Sequence, residues 1–243
     1  MTDMIQQQFV GWLHEKGLDV SAEQLEQFEL YYRILVEWNE KMNLTGITER
    51  AEVYEKHFFD SLTPAFEMDF TGEMKVIDIG SGAGFPGIPL KIMFPQLSLT
   101  ILDSLNKRIQ FLHHVVSELR LTDVQCVHGR AEEYGRNIAF RDRYDVAFAR
   151  AVARLSVLNE FCLPFVREGG TFISMKGSQA DEEISEAEFS IKVLGAKLDR
   201  TITLTLPIEK SVRSIILIRK VKGTPGKYPR KPGLPLKQPL TAK

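Results

Sequence analysis

The stretch Asp78-Ile79-Gly80-Ser81-Gly82-Ala83-Gly84-Phe85-Pro86-Gly87 sets a carboxylate two residues ahead of four glycines in eight positions. Glycines at 80, 82 and 84 permit backbone angles that a Cβ forbids, and they let a ligand approach the main chain closely. By spacing alone, Gly82-x-Gly84-x-x-Gly87 matches a dinucleotide fingerprint. A pyrophosphate placed there would be repelled by Asp78. S-adenosylmethionine carries no phosphate and presents an ammonium, a carboxylate and a sulfonium, so an acid here can orient its cationic end directly, or through water or backbone. Asp78-x-Gly80-x-Gly82 therefore favours this methyl donor over a nicotinamide or flavin dinucleotide.

Asp103 closes the next apolar run, 21 residues after Gly82. An acid at that place can accept both ribose hydroxyls of an adenosine-bearing cofactor; capping of the helix that follows is the competing account. The segment "GRAEE" (129–133) follows a third apolar run, where backbone groups and a polar side chain can edge an adenine.

The residues that are missing narrow the methyl acceptor. After the fourth strand the chain reads "ARAVARL" (149–155), without the Asn/Asp-Pro-Pro-aromatic loop suited to exocyclic amines. Methylation at pyrimidine C5 needs a cysteine nucleophile, and Cys162 within "NEFCLPF" is a weak candidate on a core-facing helix. No histidine or carboxylate cluster stands out to activate an oxygen, and no metal site is expected. Guanine N7 offers a free lone pair, so in-line attack on the sulfonium methyl needs alignment and electrostatics but no general base. Arg150 and Lys176, at the ends of strands four and five, are the positioning candidates; structural salt bridges are the competing account of both.

The elements that must hold these residues follow from pattern. At 243 residues, 44% hydrophobic and 26% charged, the chain suits one large α/β domain with a small appendage. Strands are expected at 75–80, 97–103, 124–128, 144–149 and 170–176, with helices near 87–94, 105–120, 154–166 and 178–194. Repeated strand–helix units require a parallel sheet covered on both faces. "TITLTL" (201–206) and "VRSIILI" (212–218) are joined by a link too short for a parallel crossover, so they form an antiparallel hairpin. The expected fold is a doubly wound, seven-stranded, mostly parallel α/β sheet ending in that hairpin, of the Rossmann-like class I methyltransferase type.

Residues 1–70 form a helical extension in this reading, 71–222 the methyltransferase domain and 223–243 a basic tail. Ser21-Ala22-Glu23-Gln24 fits a capping box, and Leu25, Phe28, Tyr32, Leu35, Trp38 and Met42 recur at helical spacing as a core-facing stripe. A further helix is expected from Arg50 to Leu62. Its "HFFDSL" places His57, Asp60 and Ser61 on one face. A polar cluster closing over the donor and a capped helix packing Phe58 and Leu62 inward explain those letters equally well. His113 and His114 read as ordinary helix residues.

No run is apolar for long enough to span a membrane, and the first 16 residues do not resemble a signal peptide. Cys126 and Cys162 suit two reduced thiols of a cytoplasmic protein. From Arg219 to Lys243 there are eight Lys/Arg and no Asp/Glu, so with a net charge of −1 the remainder carries −9. A basic end on an acidic body points to a polyanionic partner. Five of the eleven prolines fall after Lys222, so this segment is expected to be extended.

The sequence resembles the bacterial 16S ribosomal RNA guanine-N7 methyltransferases, also called the glucose-inhibited division protein B family. The resemblance rests on "WNEKMNLT" (38–45), "HFFDSL" (57–62), "IDIGSGAGFPGIPL" (77–90), "GRAEE" (129–133), "FARAVA" (148–153), "MKG" (175–177) and "YPRKPGLPLKQPL" (228–240), in order along nearly the whole chain. It implies S-adenosylmethionine as cofactor, with contacts at Gly80, Phe85, Ala131, Glu132 and Arg150. It also implies methylation of a single guanine, position 527 in the 530 loop, of 16S rRNA or of a small-subunit precursor particle. Lys176, Lys227, Arg230 and Lys231 are the expected RNA contacts, the last three supplying phosphate-binding charge along the tail. Three rivals remain: an RNA-binding assembly factor with a vestigial donor loop, a methyltransferase for another substrate, and a nicotinamide oxidoreductase.

Overall fold

The computed structural model describes residues 3–242. Its centre is one seven-stranded sheet in the order β3-β2-β1-β4-β5-β7-β6. The strands are β1 (Lys75–Ile79), β2 (Ser98–Asp103), β3 (Val124–His128), β4 (Tyr144–Arg150), β5 (Val166–Lys176), β6 (Ala196–Thr205) and β7 (Val212–Lys220). The first five run parallel, while β7 pairs antiparallel with both β5 and β6. The order reverses between β1 and β4, which opens a crevice at the carboxyl ends of those two strands.

Strict alternation of side chains divides the core in two. Val76, Leu99, Ile101, Val146, Phe148, Ile173, Ile215 and Leu217 belong to one apolar cluster. Their neighbours Ile77, Ile79, Leu102, Ala147, Ala149, Phe172, Ile216 and Ile218 belong to the other. Period-two geometry sends successive side chains to opposite faces, so both faces must be covered.

Helices α5 (Gly87–Met93) and α6 (Asn106–Glu118) cover the first face, together with the N-terminal α1 (Met4–His14) and α2 (Ala22–Met42). Ser21 and Gln24 form the reciprocal cap that starts α2. Its inward stripe carries Phe28, Tyr31, Ile34 and Leu35, all buried. The segment 50–66 follows as α3 (Arg50–Val53), a π turn (Tyr54–Phe59), α4 (Asp60–Leu62) and a 3-10 turn (Thr63–Phe66). On the second face lie α7 (Ala131–Tyr134), α8 (Leu155–Cys162) and α9 (Ala180–Val193), with Tyr228 and Leu240 of the C-terminal segment packed among them.

That C-terminal segment departs from the expected extended course. It folds back as turns and a short helix, α10 (Leu234–Lys237). Pro235 sits in the first turn of α10, where a missing N–H removes no helical hydrogen bond. Gly233 precedes it in the left-handed region at φ 80°. The density of prolines therefore shapes a tight path here without ruling out helix. No helix among the described residues is long and apolar enough to cross a membrane.

Candidate active site

Asp78 lies near the end of β1 and is fully buried. Its Oδ2 accepts the Ser81 hydroxyl and the Gly87 N–H, both at 2.8 Å. The carboxylate thus ties the two ends of the glycine loop together, and Oδ1 is buried without a hydrogen-bond partner among the described residues. Burial pushes Asp78 up to about 6, against the opposing pull of the two donors and of the Arg150 charge.

The loop is fixed from the other side by α2. The Tyr31 hydroxyl donates to the Ala83 carbonyl. Gly84 turns there at φ +97°, and a Cβ on it would stand 2.5 Å from the Tyr31 oxygen. No other residue type fits that contact. Gly82 is different: at φ +62° it has open space where a Cβ would be, and its N–H donates to Asp103 Oδ2 at 3.0 Å. Asp103 also accepts the Leu105 N–H at 2.9 Å through Oδ1 and lies 3.4 Å from Arg108. It therefore joins the glycine loop to the start of α6, so a place beside the donor loop and a place at the head of a helix meet in one side chain.

Two clefts open at this end of the sheet. The first, of about 190 Å³, is lined by Ile79 and Gly80 from β1 and its loop, Leu102 from β2 and Ser104 just after it, and Gly129 to Glu132 after β3. Val152, Phe161 and Leu236 complete its wall. The walls are largely apolar. The Gly80 N–H is taken by the Leu102 carbonyl at 2.8 Å and the Gly82 N–H by Asp103, and the buried acids Asp78 and Asp103 lie behind the lining. That arrangement leaves neither glycine amide for a phosphate and suits an adenosine-bearing group without one. Ala131 and Glu132 open α7 at the cleft edge; Glu132 Oε1 accepts the Gly233 N–H at 2.9 Å.

The second cleft, of about 330 Å³, is lined by Lys56, His57, Asp60, Arg150, Lys176 and Arg213, among others. Arg150 donates to Asp60 Oδ2 at 2.9 Å, lies 3.4 Å from His57 Nδ1 and stands over the Phe85 ring at 4.9 Å. His57 stacks on Phe85 at 4.6 Å and 23° between planes. Burial, reinforced by the Arg150 charge, pushes His57 down to about 3, so the ring is neutral at physiological pH. Asp60 Oδ1 lies 3.2 Å from Arg213 Nε as an ion pair without a hydrogen bond, so one buried carboxylate stands between two guanidinium groups and is hydrogen-bonded to Arg150.

The structure thus draws His57, Asp60, Phe85, Arg150 and Lys176 to one place. Of "HFFDSL", His57 and Asp60 line the second cleft and not the first, while Phe58 and Leu62 are in the core. Among the described residues no side-chain hydrogen bond caps the helical turns of this segment. Ser61 is buried, with its hydroxyl lacking a partner among the described residues. Lys176 is held at 2.7 Å from Glu183 and 2.5 Å from the Ala153 carbonyl, which orders the loop after β4.

The tail cations divide. Lys227 and Lys231 are exposed. Arg230 instead forks onto the fully buried Glu160, with Nε–Oε1 at 3.0 Å and Nη2–Oε2 at 2.7 Å. Its expected role as a phosphate contact conflicts with this pairing, because the guanidinium neutralises a carboxylate that water does not reach. A lone acid in the apolar run "LSVLNEFCLPF" was the available signal for Glu160. Tyr31 and Arg213 carried no such signal, since their partners are distant in sequence. Cys162 is fully buried, and burial raises its thiol well above the usual range, which disfavours a thiolate nucleophile. Among the described residues no group of three or more His, Cys, Asp or Glu is placed to hold a metal ion.

Known proteins share this chain's sequence and fold. Residues 24–212 match the family model described as rRNA small subunit methyltransferase G, GidB. A protein of Bacillus cytotoxicus named ribosomal RNA small subunit methyltransferase G is 56% identical over 234 residues, spanning 96% of this chain and 98% of its own length. The protein of that name from Bacillus thuringiensis is 57% identical, with the same coverage. Among solved structures the likeness is one of fold. M. jannaschii TYW2 in complex with AdoMet superposes with a TM-score of 0.51 at 14% identity, covering 67% of this chain and 77% of that one. A point mutant of MtNAS superposes at 0.55 with 14% identity, covering 82% and 75%.

Proposed function

This chain belongs to the rRNA small subunit methyltransferase G (GidB) family, and on that premise we propose that it methylates N7 of one guanine in 16S rRNA. S-adenosylmethionine is the methyl donor, and when bound it supplies an electrophilic methyl group on a sulfonium. In this reading Gly80, Gly82 and the buried carboxylate of Asp78 hold the cationic end of the donor. Asp103, Ala131 and Glu132 line its adenosine end, and Phe85 lies between that loop and the second cleft.

The observation that carries the choice of N7 is the lack of a competent base among the described residues lining the second cleft. His57 is pushed down to about 3. Both oxygens of Asp60 face guanidinium groups. Lys56 is raised to about 12 by Glu209 and Glu52, so it stays protonated. An acceptor that must lose a proton finds no partner there, whereas guanine N7 already has a free lone pair. Arg150 orients the acceptor by a charged hydrogen bond to the base or its phosphate, and Lys176 and Arg213 extend the positive rim. Exposed Lys227 and Lys231 contact the RNA backbone.

The test is a small-subunit RNA carrying 7-deazaguanosine at the target, where a C–H replaces N7. Transfer from labelled donor should vanish on that RNA and persist on the unmodified one. Equal labelling of both would rule out N7, and RNA binding without any labelling would favour an assembly factor with a vestigial loop.

A further inference from the structure

Leu236 is 58% exposed, yet it forms part of the first cleft's wall beside Gly80, Ala131 and Glu132. It comes from the C-terminal segment, beyond the last strand of the sheet. The path of that segment is fixed by polar anchors. Gly233 N–H is held by Glu132 Oε1 at 2.9 Å, and Arg230 is held by Glu160. Arg136 donates to the carbonyls of Pro229 at 2.7 Å and Lys227 at 3.0 Å. Tyr228 and Leu240 are buried on either side of this stretch. A segment so closely pinned, with one exposed leucine presented at a cleft edge, has the form of a strap whose apolar contact is completed by a ligand. Its exposed charged side chains, Lys227, Lys231 and Lys237, are all cations.

We propose that residues 223–242 form a strap that closes the adenosine end of the donor cleft, with Leu236 packing against the donor. RNA held by the strap's lysines and donor held beneath Leu236 then stabilise the same seated position. Linkage requires each ligand to raise affinity for the other by the same factor. This rests on the placement of the donor in the first cleft.

The experiment is calorimetric titration of the full chain with S-adenosylhomocysteine, with and without small-subunit RNA. Leu236→Ser should raise the Kd about fivefold, the loss that goes with withdrawing part of a leucine from contact. Leu198→Ser, which trims another exposed leucine on the far edge strand, should leave it unchanged. Because Leu236 is exposed, the ligand-free melting temperature of Leu236→Ser should match wild type, so weaker binding reports a lost ligand contact. RNA should tighten the wild type for S-adenosylhomocysteine, and Leu236→Ser to a smaller extent. Equal Kd values for Leu236→Ser and wild type would overturn the strap while leaving the donor site intact. No tightening by RNA would overturn the coupling. A wild type that does not bind S-adenosylhomocysteine at all would overturn the donor placement, and the strap with it.

Discussion

Asp78 Oδ2 accepts the Gly87 N–H at 2.8 Å across the whole glycine loop, while its Oδ1 remains buried without a partner among the described residues. One carboxylate therefore fixes both ends of the loop, and in the proposed reading its charge also acts on the cationic end of the donor. A pyrophosphate would suffer from both the charge and the loss of the Gly87 amide, which is already taken. An ammonium or sulfonium gains from the same arrangement.

The first prediction concerns acid. Burial raises Asp78 to about 6, so the ionised form that attracts a cation is lost as pH falls through that value. S-adenosylhomocysteine affinity should fall between about pH 7 and about pH 5, and Asp78→Asn should bind weakly with no such step. For stability the sign reverses. A raised carboxylate pKa contributes stability that is complete below the unfolded value of 3.8 and is lost as pH rises through about 6. The ligand-free wild type should therefore lose melting temperature relative to Asp78→Asn as pH rises over that window.

The second concerns the carboxylate between two guanidinium groups. Arg150 makes directional contacts with Asp60, His57 and the Phe85 ring at once. A lysine keeps the charge but loses the planar fork. Arg150→Lys should lower methyl transfer about tenfold or more in kcat/KM, measured with labelled donor on small-subunit RNA. A rate equal to wild type would show that charge alone suffices.

The third separates anchor from contact on the C-terminal strap. Arg230→Ala leaves Glu160 charged and buried, at a cost of about 3 kcal/mol or more, or roughly 6–12 °C in Tm for a chain of this size. Replacing Lys227 and Lys231 by glutamine should leave Tm unchanged and reduce the salt slope of RNA binding by about 1.5. Equal melting temperatures for Arg230→Ala and wild type would contradict the anchoring role.

The fourth concerns the thiol. Cys162→Ala should retain full transfer, with a stability loss of about 1 kcal/mol from the small cavity. Abolished transfer in a folded protein would reopen covalent chemistry at a pyrimidine carbon.

Much of the frame was legible because the strands alternate strictly. "VIDI", "LTIL" and "VAFA" send neighbours to opposite apolar clusters, and a link as short as "PIEKS" leaves only a hairpin. Edges were less legible. β6 begins at the buried Ala196 and runs on through the exposed "KLDR", which carries no alternation, and β5 begins at Val166, ahead of two glycines. Single-turn helices such as α7 and α10 are too short to show a period. At the site, Asp78, Asp103, Arg150 and Lys176 could be placed at strand ends from pattern alone. Their partners could not: Arg150 meets Asp60 across 90 residues of sequence, and Arg230 meets Glu160 across 70. The π turn over Tyr54–Phe59 also shifts the faces that ideal helical spacing assigns to His57 and Asp60.

The most direct test of methyl transfer to guanine N7 is to incubate unmodified small-subunit rRNA with the protein and labelled S-adenosylmethionine, then locate the label by nuclease mapping and nucleoside mass spectrometry. The expected result is a single N7-methylguanosine in 16S rRNA, absent with Asp78→Ala. Label on a different ring atom, on protein, or on no macromolecule would contradict the account.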